Sequence, residues 1–213
     1  GKNPVILEKM ATAGGNTTKS SAGMNASQTK FQEAEGIKDS NDKFYEESLK
    51  GGHGTNNPEL LHYLVDNSAS AIDWLDSMGI TLSNLTTTGG MSEKRTHRPA
   101  DGSAVGEYLV AGLLRNASER EIPVFVNAVV NKVNEKDGKV TGVNVSIDGQ
   151  EKTIASNAVV LTTGGFGANM EMVTAYKPEL NGFVTTNQKG STGDGVVLAK
   201  EIGAATVDMG EIQ

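Results

Sequence analysis

Cysteine is absent from these 213 residues, and that removes thiol catalysis, cysteine-ligated zinc, iron–sulfur clusters and disulfide staples together. A chain of this length can hide roughly 70% of the surface its unfolded form exposes, so it needs no staples to hold a core. Aromatic residues are scarce at 5%, with a single tryptophan. Positive charge is scarce too. With 19 Lys and Arg against 26 Asp and Glu, and a net charge of −7, the chain has no electrostatic footprint for nucleic acid. No apolar run approaches the roughly 20 residues of a membrane span, and the opening residues carry no signal-peptide pattern. Three histidines offer no metal constellation: His53 lies in a glycine loop, His62 in a helical stretch, and His97 between Thr96 and Arg98. Of these only His97 with Arg98 resembles a site, against the plainer reading of a solvated loop.

Glycine is what the chain has in excess, with 26 residues, about 12% where globular chains average about 7%. The glycines cluster at Gly14-Gly15, Gly51-Gly52-His53-Gly54, Gly89-Gly90, Gly164-Gly165-Phe166-Gly167 and Gly193-Asp194-Gly195, each at the edge of a periodic segment. Glycine where strands and helices end is either a turn or a place where backbone approaches a ligand, most often a phosphate.

Pro4 to Leu7 reads as a short strand buried on both faces of a parallel sheet, ending at Glu8-Lys9. Residues Met10 to about Ser40 are polar and too irregular for a helix. Helices are predicted over Asp42 to Lys50, over Pro58 to Met78 with Asn57 as cap, and over Ser103 to Arg120. The second buries Leu61, Leu64, Val65, Ala69, Ile72 and Leu75; the third buries Val105, Leu109, Leu113 and Leu114. A strand at Val124 to Asn127 precedes an antiparallel meander over Val129 to Glu135, Val140 to Ile147 and Glu151 to Ala155, with turns at Asp137-Gly138 and Asp148-Gly149. Ala158 to Leu161 reads as another fully buried strand, running into Thr162-Thr163-Gly164-Gly165 as a strand does where it meets a ligand. Short helices follow near Asn169 to Tyr176 and from Gly193-Asp194-Gly195. No linker separates two domains.

An acidic residue closing a parallel strand, here Glu8, is how many dinucleotide folds hold the adenosine ribose, its carboxylate accepting from both hydroxyls. Taken alone, Glu8 is equally a charged residue leaving a buried strand. The ribose reading calls for G-x-G-x-x-G about 20 residues upstream, so the expectation is that the first strand, phosphate loop and helix lie outside this sequence. Gly14-Gly15-Asn16 fits a loop over the pyrophosphate, where small residues let backbone N–H groups reach the ligand and the Asn16 amide can donate; an Asn-containing turn is the structural alternative. Asp194 at a helix start is a cap or a ligand contact, the cap being the simpler.

In their order, Val5 to Lys9, Gly14-Gly15-Asn16, Ser21-Ala22-Gly23-Met24-Asn25, Lys50-Gly51-Gly52, Asp73-Trp74-Leu75 with Met78-Gly79, His97-Arg98-Pro99, Thr163-Gly164-Gly165-Phe166 and Thr192-Gly193-Asp194-Gly195 resemble the flavoprotein part of soluble fumarate reductases of the flavocytochrome c type, with urocanate reductases and 3-ketosteroid dehydrogenases as relatives. The resemblance runs from Gly1 to Gln213. It implies an α/β fold: a Rossmann-like, glutathione-reductase-type FAD-binding domain with a parallel sheet, into which the three-stranded antiparallel meander is inserted. The whole chain would be one partial FAD-binding domain, short of its first βα unit and of a capping domain.

Carried over by position, the resemblance makes Glu8 the ribose ligand, with Lys9 beside it. Gly15, Asn16 and Thr17 become pyrophosphate contacts, and Ser21, Ala22, Gly23 and Met24 the backbone beside the isoalloxazine. Val130 would meet the adenine through its main chain. Thr162, Thr163 and Gly164 would approach the adenosine half, and Asp194 would fix the cofactor from the last helix. Where the family has two glycines before the methionine, this chain has Ala22-Gly23, and the extra methyl faces flavin or substrate. The implied reaction is hydride transfer from reduced FAD to an α,β-unsaturated carboxylic acid, first of all fumarate, with electrons from a donor domain or partner protein. No catalytic residue of the family falls in this chain, so the 213 residues alone are expected to be inactive and to hold FAD weakly or not at all. Three other readings stand beside this one: a cofactor-free folded fragment or partner-binding module, a reductase of another unsaturated substrate such as urocanate or a ketosteroid, and a nicotinamide enzyme of similar fold.

Overall fold

The computed structural model describes residues 2–212. In chain order the elements are β1 (Ile6–Leu7), α1 (Gly15–Thr18), β2 (Met24–Asn25), α2 (Lys30–Ala34), α3 (Asn41–Gly51), α4 (Pro58–Ser77), β3 (Asn84–Thr86), β4 (Thr96–Arg98), α5 (Val105–Glu119), β5 (Val124–Phe125), β6 (Ala128–Lys136), β7 (Lys139–Ile147), β8 (Gln150–Ala155), α6 (Met170–Tyr176), a 3₁₀ turn at Pro178–Leu180, and α7 (Asp194–Glu201). They form two compact units, one of residues 2–16 with 118–212, the other of Thr17–Ala117.

In the first unit β1 pairs in parallel with β5, Ile6 opposite Val124 and Leu7 opposite Phe125. The ladder runs past the strand end: the Glu8 N–H donates to the Phe125 carbonyl at 2.8 Å, and the Ala128 and Asn127 N–H groups donate to the carbonyls of Glu8 and Met10. The meander follows in the order β6-β7-β8. Its two tight turns are the Asp-Gly pairs read from the sequence. Asp137, Gly138, Asp148 and Gly149 all have positive φ, the conformation whose twist matches that of the flanking strands. The meander's inner face packs Val133 and Val143 on Leu198 of α7, with Leu7, Val130, Val140, Ile154 and Val159 around them.

The strand reading holds for β1 and fails for its burial. Val5 is 37% and Ile6 41% exposed, because a strand needs layers on both sides to be hidden on both faces, and among the described residues this one has them on one. Ala158 to Leu161 is corrected further: it forms no strand, and Val160 is 82% exposed, since no strand among the described residues pairs with it.

In the second unit α4 starts as its sequence dictates, with Pro58 in the first turn and the Asn57 side chain accepting from the Leu60 N–H at 3.1 Å. It buries Leu61, Val65, Ile72 and Leu75, while Leu64 points outward at 56% exposure and Ser68 takes the inner position. On α5, Val105 is buried and Leu114 exposed. The core joins Ala26, Ile72, Leu75, Ile80, Leu82 and Val105, and a smaller cluster joins Phe44, Leu61 and Val65. The polar stretch from Met10 to Ser40, expected to hold no helix, contains α1 and α2. A full capping box nucleates α2, with the Thr29 hydroxyl and the Gln32 side chain each bonded to the other's backbone N–H. No helix among the described residues is long and apolar enough to cross a membrane.

Candidate functional site

In the first unit four loops meet at the exit of β1. Lys9 reaches the start of α7, its Nζ donating to Asp194 Oδ2 at 2.7 Å and to Thr192 Oγ1 at 2.5 Å. Thr192 Oγ1 in turn donates to Asp194 Oδ1 at 2.6 Å. Asn16 clasps the same incoming segment: its Nδ2 donates to Asn187 Oδ1 at 2.7 Å and its Oδ1 accepts from the Gln188 N–H at 2.6 Å. The Thr163–Gly167 loop lies against this segment too. The Gly193 N–H donates to the Gly165 carbonyl at 3.2 Å, and the Ala168 N–H to the Ser191 carbonyl at 2.9 Å. Glu8 Oε1 accepts from the Met10 N–H at 2.8 Å, which fixes the carboxylate at the strand's end.

Of the residues chosen from sequence, Lys9, Asn16, Thr163, Gly164 and Asp194 thus lie together at the 187–195 segment, with Glu8 and Gly15 next to them in the chain. Thr162 is exposed beside them. Val130 sits in β6 next to a register shift, its half-buried side chain packed against the cluster of Val133, Val143 and Leu198. Asp194 is neither the expected cap nor unengaged. The N-cap of α7 is Gly193, with no side-chain cap, and both Asp194 oxygens are taken by Lys9 and Thr192. Burial favours its neutral form, but the Lys9 ammonium and the Thr192 hydroxyl outweigh that and hold its carboxyl below the ordinary value.

Thr17, Ser21, Ala22, Gly23 and Met24 belong to the second unit. Met24 pairs with His97 across β2 and β4. Gly23 is required by close approach: a Cβ there would lie 2.8 Å from Thr96 Cγ2 and nearer still to the His97 carbonyl oxygen. Ser21 and Ala22 are exposed, and the Ser21 carbonyl accepts from Arg98 Nη2 at 3.3 Å. His97, read as part of a solvated loop, is fully buried in β4. Its Nδ1 lies 2.6 Å from the Arg95 carbonyl and its Nε2 2.8 Å from Thr29 Oγ1. The carbonyl can only accept, so Nδ1 carries the proton and Nε2 accepts from Thr29. Burial lowers the pKa, keeping the ring neutral.

Behind β4 lies a cluster the sequence did not announce. Arg95 is fully buried. Its Nε and Nη2 donate to the two oxygens of Asp39 at 2.7 and 2.6 Å, its Nη1 to Glu47, and its guanidinium lies 5.1 Å from the Phe44 ring centre. Glu47 also binds the Ser92 hydroxyl and its N–H. Burial alone would raise the Glu47 carboxyl; the Ser92 and Arg95 donors reverse that and hold it at about 2. No sequence signal ties residues 39, 47 and 95 together. Among the described residues no group of His, Asp and Glu could hold a metal ion.

A parallel strand pair with glycine-rich loops at its exit is the arrangement of a dinucleotide-binding α/β module. Comparison with known proteins narrows the class. The family described as FAD binding domain matches residues 1–213, and the chain belongs to it; its cofactor is FAD. An NADH:fumarate oxidoreductase of Klebsiella pneumoniae (strain 342) is 53% identical over the whole chain, which spans 23% of that protein. A fumarate reductase (cytochrome) of Shewanella frigidimarina is 38% identical, again over the whole chain and over 38% of its own length. Among solved structures, the open conformation of a flavocytochrome c3 fumarate reductase superposes with a TM-score of 0.94 at 37% identity, over 98% of this chain and 37% of that one. A 3-ketosteroid-Δ4-(5α)-dehydrogenase from Rhodococcus jostii RHA1 shares the fold, with a TM-score of 0.84 at 20% identity over 96% of this chain and 50% of its own.

The first unit suits a dinucleotide on its own geometry. Gly15 and Gly164 both have positive φ; nothing lies within 4 Å of a Cβ position at Gly15, and at Gly164 only Ser191 Oγ does, at 3.6 Å. The backbone there is open to an incoming group, and the Glu8 carboxylate stands at the end of the neighbouring strand.

Proposed function

We propose that these residues are the cofactor-holding part of a flavin-dependent reductase of α,β-unsaturated carboxylic acids, with fumarate the first substrate to test. The observation that carries the reading is the meeting of Glu8-Lys9, Gly15-Asn16, Thr163-Gly164 and Asp194 at the end of one parallel strand. Glu8 accepts from the adenosine ribose hydroxyls, Thr162, Thr163 and Gly164 line the adenosine half, and Gly15, Asn16 and Thr17 serve the pyrophosphate. Val130 offers main-chain groups to the adenine. Ser21, Ala22, Gly23 and Met24 are assigned to the isoalloxazine on family resemblance, with the Ala22 methyl as the group that bears on the substrate. When bound, FAD supplies the two-electron chemistry, delivering hydride from the reduced ring to the electron-poor double bond. The names of the relatives, one with NADH and one with cytochrome, support an electron donor supplied by another domain or protein.

The test uses the whole protein that carries this chain, purified with FAD and reduced chemically under anaerobic conditions. Addition of fumarate should reoxidise the flavin and yield succinate stoichiometrically. A colourless protein that takes up no FAD would refute the reading at its root. Reoxidation by urocanate or an unsaturated ketone, with fumarate inert, would keep the flavoprotein and replace the acid.

A further inference from the structure

Resting on the flavin reading above, we infer that Arg98 is a positioning residue for the isoalloxazine: it turns and polarises the Ser21–Ala22 peptide so that the Ala22 N–H is presented to the ring. Arg98 directly follows His97, which pairs with Met24 across β4 and β2, and its stem lies on the backbone of Gly23. A Cβ at Gly23 would stand 3.0 Å from Arg98 Cγ, so glycine is what leaves the stem its room. The guanidinium ends between two backbone carbonyls. Nη2 donates to those of Ser21 and Ser103, at 3.3 Å each, and Nε donates to that of Ser103 at 3.4 Å.

Two features set this arginine apart. Lys9, Lys30, Lys43, Lys94 and Arg95 each pair with a carboxylate, and Arg98, half-buried, pairs with none among the described residues. Its contacts are long and go to neutral oxygens, so most of its charge stays uncompensated in a chain of net charge −7. The segment it holds also has little else to hold it. The Ser20 carbonyl accepts from the Gly106 N–H at 3.0 Å, and Met24 lies in the β2–β4 ladder. Between them, among the described residues, the bond from Arg98 to the Ser21 carbonyl is the one hydrogen bond that Ser21, Ala22 and Gly23 make. A trans peptide is planar, with its C=O and N–H pointing in opposite directions, and no described peptide is cis. With the Ser21 carbonyl turned toward the guanidinium, the Ala22 N–H is turned away from it, unpartnered, on an exposed residue. A cation on the carbonyl polarises the peptide and makes that N–H a stronger donor. The isoalloxazine offers ring carbonyl oxygens as acceptors and gains electron density on reduction. A fixed donor with a cation behind it therefore favours the reduced ring over the oxidised one.

The test uses the whole protein loaded with FAD. Arg98→Met keeps much of the stem and removes the cation. It should lower the flavin midpoint potential by about 30 mV, which for a two-electron couple is a tenfold loss in preference for reduced over oxidised FAD. Equilibration with a reference dye under anaerobic conditions measures it. Arg98→Gln, whose amide is too short to reach Ser21, should give the same shift and stands in if Arg98→Met does not fold. Arg98→Lys keeps a cation with donors enough for both carbonyls, and its preference should stay within about threefold of the parent's. A general loosening of the fold weakens the binding of both redox forms alike and leaves the potential where it was, so the potential separates positioning from a merely structural role. An unchanged potential in folded Arg98→Met or Arg98→Gln overturns the inference, as does a potential for Arg98→Lys as low as that for Arg98→Met, and the flavin reading survives either result. If the whole protein takes up no FAD, both fall.

Discussion

Removing Arg95 should expose how much of the second unit depends on one buried cation. Arg95 is fully buried and makes charge-assisted bonds to both oxygens of Asp39, itself fully buried, and to Glu47, 19% exposed. Arg95→Met fills similar space with no charge and leaves two carboxylates facing an apolar wall. Breaking a buried ion pair from one side costs about 3–5 kcal/mol, because the abandoned charge stays desolvated. The pH dependence makes the argument sharper. Glu47 has a carboxyl at about 2 in the fold against 4.5 ordinarily, so its contribution is fully present above pH 4.5 and is lost as pH falls toward 2. At about 1.4 kcal/mol per pH unit that gap corresponds to about 3 kcal/mol. Asp39 shifts in the same direction: its burial works against the charge, and Arg95, Gln32 and the Ser40 N–H overcome it. The parent should therefore lose stability steadily below pH 4.5. The variant, whose carboxylates have lost their cation, should lose far less, so the difference between them narrows on acidification. Urea unfolding followed by far-UV circular dichroism at pH 7 and pH 3.5 measures both. A deficit under about 1 kcal/mol at pH 7, or one that does not shrink at pH 3.5, would refute the assignment of Arg95 as the group that keeps these carboxylates charged.

Other outcomes follow from single contacts. Gly23→Ala forces a methyl into the His97 carbonyl and Thr96 Cγ2, and should cost about 2 kcal/mol or more by separating β2 from β4, read as a lower urea midpoint; a neutral result would mean that β2 has room the structure does not give it. Glu8→Ala should weaken FAD binding about tenfold or more by isothermal titration, with the melting temperature of the apoprotein little changed; unaltered affinity would remove Glu8 from the ribose. Ala22→Gly should change the KM for the unsaturated acid and leave FAD affinity alone, and the reverse pattern would put the methyl against the flavin.

What could be read directly from the sequence was whatever is decided locally. The Asn57-Pro58 start of α4, the two Asp-Gly turns of the meander and the strands they join each depend on residues within a few positions of one another, and each appears where the pattern placed it. The candidate site residues of the first unit could be picked out for a related reason, because an acidic strand end and glycine pairs are local patterns; which of them meet the cofactor is the proposal above. The family they belong to was legible from their order. Burial was less accessible. Leu64 and Leu114 fit an apolar stripe as well as their neighbours do, yet exposure depends on which element covers which face. Val160 fits a buried strand by composition and is bare because no described strand lies beside it.

The sequence by itself determined the longer helices, the meander and its turns, since these follow from backbone preference and side-chain type, while the short α1 and α2 escaped it. Tertiary structure alone decided the partners. It brought Lys9 to Asp194 and Asn16 to Gln188 across more than 170 positions, and placed Arg95 between Asp39 and Glu47. It also turned His97 from an apparent site residue into a neutral brace of the core. Charged and polar groups choose such distant partners because burial leaves them no water, and only the folded chain says which groups are buried together.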